Sequence, residues 1–288
     1  MVSDHHIENP FEYFIEKLSW AASDAGRALR FDPARHAAQA VPVVRRITVA
    51  DLFEALRKGV ADVGATRDDV LFIGLIYPLA GLVLARLAFS YDLLPLVFPL
   101  ASGFALIGPF AAVGLYEMSR RRERGEHVTW ADSFGVLRSP ALGSILLVGA
   151  ILLALFGVWL AVAYQIYLIN LGHAAPQSVA GFERSVFTTG GGWAMIAEGL
   201  GAGFLFAVLA FAIGAVSFPL LLDRDVGIVT AVSTSLKAVA VNLGVMTLWG
   251  LIVAGLLVLG SAPLLVGLVF VVPLLGHATW HLYRKLIG

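Results

Sequence analysis

The chain contains no cysteine. That excludes disulfide frameworks, thiolate–zinc sites, thiol nucleophiles and covalent haem attachment through a Cys-x-x-Cys-His motif. Charge is also scarce: Asp, Glu, Lys and Arg make up 14% of the 288 residues, against about 25% in an average soluble domain. The 20 basic and 20 acidic residues cancel, so no bulk charge invites a polyanion and no nucleic-acid partner is expected. P-loop, GxSxG, HExxH and dinucleotide fingerprints are missing, which leaves no motif for catalysis. What the chain does have is apolar residues, 59% of the total, and a mean hydropathy of +0.85. This is the composition of a polytopic membrane protein whose first partner is the lipid bilayer.

The charges cluster at one end. Residues 1–69 hold 20 of the 40, and long uncharged runs follow. A helix needs about 20 apolar residues to cross ~30 Å of hydrocarbon. On that length six spans are expected, over 70–89, 93–116, 141–168, 194–222, 239–259 and 264–283, with the last two separated by a turn at 260–263. Arg120, Arg121, Arg122, Arg124 and Arg138 fill one connection, Arg224 and Lys237 another, and Arg284 with Lys285 the C-terminus. Basic connections alternate with nearly bare ones. The positive-inside rule then predicts both termini in the cytoplasm. Residues 1–46 lack a continuous apolar h-region, so the first span is expected to act as an uncleaved signal anchor.

The expected fold is all-α, with two parts. Residues 1–46 form a cytoplasmic amphipathic helix (11–30) and linker, and residues 47–288 form a six-span membrane domain. Segments 47–57 and 128–138 share Thr-x-Ala-Asp-x-Phe-x-x-Leu-Arg, and 228–237 resembles them more weakly. Thr48 and Thr129 stand at N-cap positions, with Asp51 and Asp132 three residues on to return the hydrogen bond. Asp223-Arg224-Asp225 stands before the third segment, where it is expected to serve as that helix's cap. The pattern predicts three short amphipathic surface helices, each leading a pair of spans, as a threefold repeat.

From about Val43 onward the chain resembles an uncharacterised family of predicted bacterial integral membrane proteins, some of which carry a cytochrome c oxidase label. The resemblance rests on Val44-Arg45-Arg46-Ile47 leading into Ala50-Asp51, on Gly181-Phe182-Glu183-Arg184-Ser185-Val186 with Gly190-Gly191-Gly192-Trp193, on Leu222-Asp223-Arg224, and on Gly276 through Arg284. It implies a six-span fold and no established activity. Of the seven histidines, only His277 and His281 fall within expected spans. These are too few for the haems and copper of an oxidase catalytic subunit, whereas an accessory or assembly partner of such a complex remains open.

His277 and His281, four apart on one helix, form the candidate cofactor site for a metal or haem. Glu117, Asp223 and Asp225 are the nearest acids expected, and no metal-ligand set is complete. The competing reading makes the pair structural, with Trp280 and Tyr283 beside it as an interfacial aromatic belt. Glu198 and Arg86 are lone charges in the outer thirds of their spans. They are expected to form a structural intramembrane pair, with Tyr164, Gln165 and Asn170 at similar depth. Three functions follow as expectations. One is a non-catalytic accessory, assembly or scaffold component of a membrane complex, with other subunits or a second copy as partner. The alternatives are a small-solute or ion transporter, and a metal- or haem-binding membrane protein.

Overall fold

A computed structural model describes residues 42–65, 91–103, 108–174, 176–263 and 265–288. The expected helix 11–30, the first span 70–89 and Arg86 lie outside the described residues. Within them every named element is helical. The α-helices are α1 (Val49–Ala65), α2 (Val97–Gly103), α3 (Gly108–Ala111), α4 (Val113–Glu123), α5 (Leu142–Leu171), α6 (Val179–Thr188), α7 (Gly190–Asp223), α8 (Ile228–Val241), α9 (Leu243–Ser261) and α10 (Leu268–Leu286). Two 3-10 helices, Tyr91–Leu96 and Trp130–Arg138, join them.

Among the described residues three helices, α5, α7 and α9, are long and apolar enough to cross a membrane. They fall where spans 141–168, 194–222 and 239–259 are expected. Among the described residues, the stretch 93–116 contributes a 3-10 turn, α2, α3 and the start of α4. Pro95, Pro99 and Pro109 each lack a backbone donor and crowd the preceding turn, which favours short pieces over a continuous span. The segment expected as the last span becomes α10, whose second half is buried inside the protein.

Two of the expected caps are present and built alike. The Thr48 N–H and hydroxyl both donate to Asp51 Oδ2, each at 2.8 Å. The Thr129 N–H and hydroxyl donate to Asp132 Oδ2 at 2.8 and 2.9 Å. These bonds hold both carboxyls below their ordinary pKa. The third segment starts differently. Asp223 ends α7, Arg224 is its C-cap, and α8 begins after Gly227 at φ 72° without a side-chain cap. Asp223-Arg224-Asp225 therefore closes one helix rather than opening the next.

α5 and α7 pack along each other, with Trp159 set against Phe206 at a ring separation of 5.6 Å and over Gly203. α8 packs on α7 through a wedge. The Ser235 hydroxyl accepts from Val216 N–H (3.1 Å) and donates to Ala212 O (2.7 Å), standing within the helical ladder one turn before Pro219. Asn242, at the α8–α9 junction, accepts from Ile47 N–H (2.8 Å) and donates to Arg45 O (3.0 Å). This ties the strap leading into α1 to the bundle. Val44 bridges to Ile287, and Lys285 reaches Glu54 at 2.7 Å.

α1 lies against α10 with Leu52, Ala55, Gly59 and Asp62 inward, a three-and-four spacing. At Gly59 a Cβ would stand 2.9 Å from both the Cβ and the backbone nitrogen of Ala278. Neither atom belongs to a flexible side-chain end. Gly59→Ala is thus expected to force the helices apart and to cost about 1–3 kcal/mol, measured as thermal unfolding in detergent. Gly157→Ala, on α5 with nothing within 4 Å among the described residues, is expected to leave stability unchanged or slightly raised.

Candidate functional site

The inward stripe of α1 ends on an acid. Asp62 lies one turn beyond Gly59 and meets Ser119 and Arg122, one turn apart on α4, and the His277–His281 pair on α10. Asp62 Oδ2 accepts from the Ser119 hydroxyl at 2.6 Å and from His281 Nε2 at 2.9 Å. Arg122 Nη1 lies 3.1 Å from Asp62 Oδ1 and donates to the Asp62 backbone carbonyl at 2.9 Å. That carbonyl belongs to the last turn of α1, where acceptors lack a helical partner. Burial pushes the Asp62 carboxyl up. The hydrogen bonds from His281 and Ser119 and the two neighbouring imidazoles outweigh it and bring the pKa down to about 2.

Donor counting sets the histidine tautomers. Ser119 has one hydroxyl proton, and the carboxylate, an acceptor only, takes it. The 2.7 Å contact between Ser119 Oγ and His277 Nδ1 then requires the proton on Nδ1. The lone pair of neutral His277 is left on Nε2, which is buried and has no hydrogen-bond partner among the described residues. His281 carries its proton on Nε2 to serve Asp62. The result is a chain, His281–Asp62–Ser119–His277, running from a partly exposed imidazole to a wholly buried one.

Ser, His and Asp meet here without forming a hydrolytic triad. In a triad the histidine takes the serine proton. Here the serine gives its proton to the carboxylate and receives one from the histidine, so nothing activates Ser119 as a nucleophile.

The rest of α10 is held by a second layer. Trp280 Nε1 donates to Glu123 Oε2 at 3.2 Å, and the Tyr283 hydroxyl donates to Asp223 Oδ2 at 2.7 Å. Arg284 reaches both acids, at 3.1 and 3.3 Å. Trp280 and Tyr283 are thus fully buried, not belt residues facing lipid headgroups. Their rings fill the core and each polar tip finds a carboxylate.

The acids expected near the histidines are elsewhere. Glu117 is clamped by Arg120 (2.6 Å) and Arg121 (2.7 Å), and Asp223 serves the second layer. The acid brought to the histidines is Asp62, which sequence reasoning passed over. Its signal was an acidic residue on the apolar stripe of α1. Among the described residues, no group of three or more His, Cys, Asp or Glu is arranged to hold a metal ion. Glu198, near the opposite end of α7, accepts from Asn170 Nδ2 at 2.8 Å. Its expected partner Arg86 lies outside the described residues.

Residues 97–223 match the family described as "Predicted integral membrane protein (DUF2189)". The matched segment runs from α2 to the end of α7 and includes Ser119 and Arg122. Asp62, His277 and His281 lie outside it. No curated protein and no solved structure matches the chain. With three membrane-length helices among the described residues, the protein is an integral membrane protein, and its central segment is similar to this uncharacterised family.

Asp62→Ala is expected to destabilise the protein by about 3–5 kcal/mol, because Arg122, Ser119 and His281 all lose the carboxylate. Asp62→Asn, which keeps one acceptor oxygen, should lose less. The folded carboxyl lies at about 2, below its ordinary 3.8. Its contribution is therefore complete above the ordinary value and is lost as the pH falls through about 2. Thermal unfolding in detergent should show the wild-type advantage over Asp62→Asn holding at neutral pH and shrinking below about pH 4.

Proposed function

We propose that the protein is a multi-pass inner-membrane protein that acts without catalysis, as an accessory, assembly or scaffold component of a membrane complex. One observation carries this reading. Of Asp, Glu, Lys and Arg, the three membrane-length helices hold a single residue away from their ends, Glu198. The remaining described charges gather mainly at one end of the bundle in ion pairs within and between helices. A transporter binds its solute near the midplane, on polar or unwound backbone groups there. A scaffold needs only a rigid body and an apolar surface. α7 and α9 supply that surface, with Phe204, Leu205, Val258 and Leu259 outward.

Gentle cross-linking in native membranes, followed by purification and mass spectrometry, is expected to return a stoichiometric complex. Recovery of an isolated chain that carries solute or ion flux in vesicles would replace this reading with the transporter. The unpartnered Nε2 of His277 favours a second reading, in which that nitrogen ligates a metal or haem while Ser119 orients the ring. The same purified sample tests it. A pigment or metal lost in His277→Ala supports the ligand, and its absence from wild type retires it.

For orientation we propose both termini in the cytoplasm, on the arginines of the connection around Arg120–Arg124. Alkaline phosphatase fused after Leu171 should be active, and fused after Arg124 inactive. The reverse would invert the topology.

A further inference from the structure

A cavity of about 330 Å³ opens where α4, the second 3-10 helix and the ends of α5 and α7 meet. Four guanidiniums line it: Arg120 and Arg121 from α4, Arg138 from the 3-10 helix, and Arg224 following α7. Three acids line it too, but two are already engaged. Glu117 sits between Arg120 and Arg121 and fixes them in place. Asp223 takes the Tyr283 hydroxyl and Arg284. Asp225 is exposed.

The arginines divide in the same way. Arg120 also donates to Leu222 O at 2.8 Å, and Arg121 to Asp132 at 2.6 Å. Arg138 has no acidic partner among the described residues, and Arg224 has only Asp223 at a long 3.7 Å. Two guanidiniums are thus held and two are available. The α5 N-terminus, at Ala141 on the cavity wall, has no side-chain cap, and its positive end adds to theirs.

The position of the cavity indicates what fills it. At 1.5 Å per residue, α5 with 30 residues and α7 with 34 are roughly 45 and 51 Å long. Hydrocarbon is about 30 Å thick, and about 40–45 Å with headgroups. Helices of this length pass through the hydrocarbon and reach the headgroup layer at their ends, where the cavity lies. Guanidinium forks match the oxygens of phosphate in a bidentate way, and basic pockets between spans suit phosphate headgroups.

We propose that this cavity binds a phosphate group, carried by an anionic phospholipid headgroup of the surrounding bilayer or by free phosphate. Arg138 and Arg224 make the contacts, while Glu117 presents Arg120 and Arg121 behind them. The full chain, purified in detergent and stripped of lipid, is titrated with short-chain phosphatidylglycerol, with phosphatidylcholine and with inorganic phosphate, and thermal stability is read. Phosphatidylglycerol is expected to stabilise saturably and phosphatidylcholine not. A response to phosphatidylglycerol alone identifies the headgroup, and an equal response to inorganic phosphate identifies the free ion.

Arg138→Gln/Arg224→Gln should weaken the response roughly tenfold or more. Arg138→Lys, with its charge kept and its fork lost, should fall between. Lys237→Gln, an exposed basic residue outside the cavity lining, should behave as wild type. Should the double variant fail to fold, phosphatidylglycerol counted by native mass spectrometry on wild type and Arg138→Lys decides. Equal retention on both, or a thermal response in wild type that survives the double substitution or never appears, overturns the proposal.

Discussion

A buried carboxylate that stays ionised must be surrounded by donors, and Asp62 imposes that requirement on three helices at once. It stands on α1, its donors Ser119 and Arg122 stand on α4, and His281 stands on α10. None of the three helices can shift along its neighbour without leaving an unpaired charge in the interior, which is among the costliest defects a fold can carry. The rest of this end of the bundle follows the same rule. Glu123 and Asp223 gather Trp280, Tyr283 and Arg284, and Glu117 gathers Arg120 and Arg121. Charges the composition makes scarce are concentrated where the helices converge.

The membrane-length helices are held by different means. Between α5 and α7 the contacts are aromatic and apolar, with small residues letting rings approach backbone, as Trp159 does over Gly203. A hydrophobic surface brings no register of its own, so polar insertions supply it. Ser235 enters the α7 ladder before Pro219, and Asn242 binds the strap ahead of α1. Ser235 bridges Val216 N–H and Ala212 O, and Asn242 takes the Ile47 N–H and gives to Arg45 O, so each side chain pins backbone groups of a neighbouring segment. The protein is thus rigid at one end through ions and along its length through a few placed hydroxyl and amide groups.

Some of this was legible in the sequence because its cause is local. Thr48 with Asp51 and Thr129 with Asp132 are three residues apart, and a cap needs nothing farther away. The limits of α5, α7 and α9 follow from long uncharged runs bounded by charge or turns. The 3-10 turn at Tyr91–Leu96 is marked by Pro95, while apolar length alone carries no sign of it. Trp280 and Tyr283 were misread for a related reason. An aromatic beside a helix end looks the same in sequence whether it meets headgroups or the core.

Helix type, cap chemistry, the apolar stripe of α1 and the shared face of His277 and His281 were set by residues within one or two turns of each other, and so by the sequence itself. Which acid meets the histidines was not. Asp62 is 219 positions from His281 and 57 from Ser119, and no short-range periodicity carries that information. Only the packing of α1 and α4 against α10 brought the acid, the hydroxyl and the imidazoles within hydrogen-bonding distance. That packing also set the tautomer of His277, because a serine has one proton to give and its direction depends on which neighbours surround it.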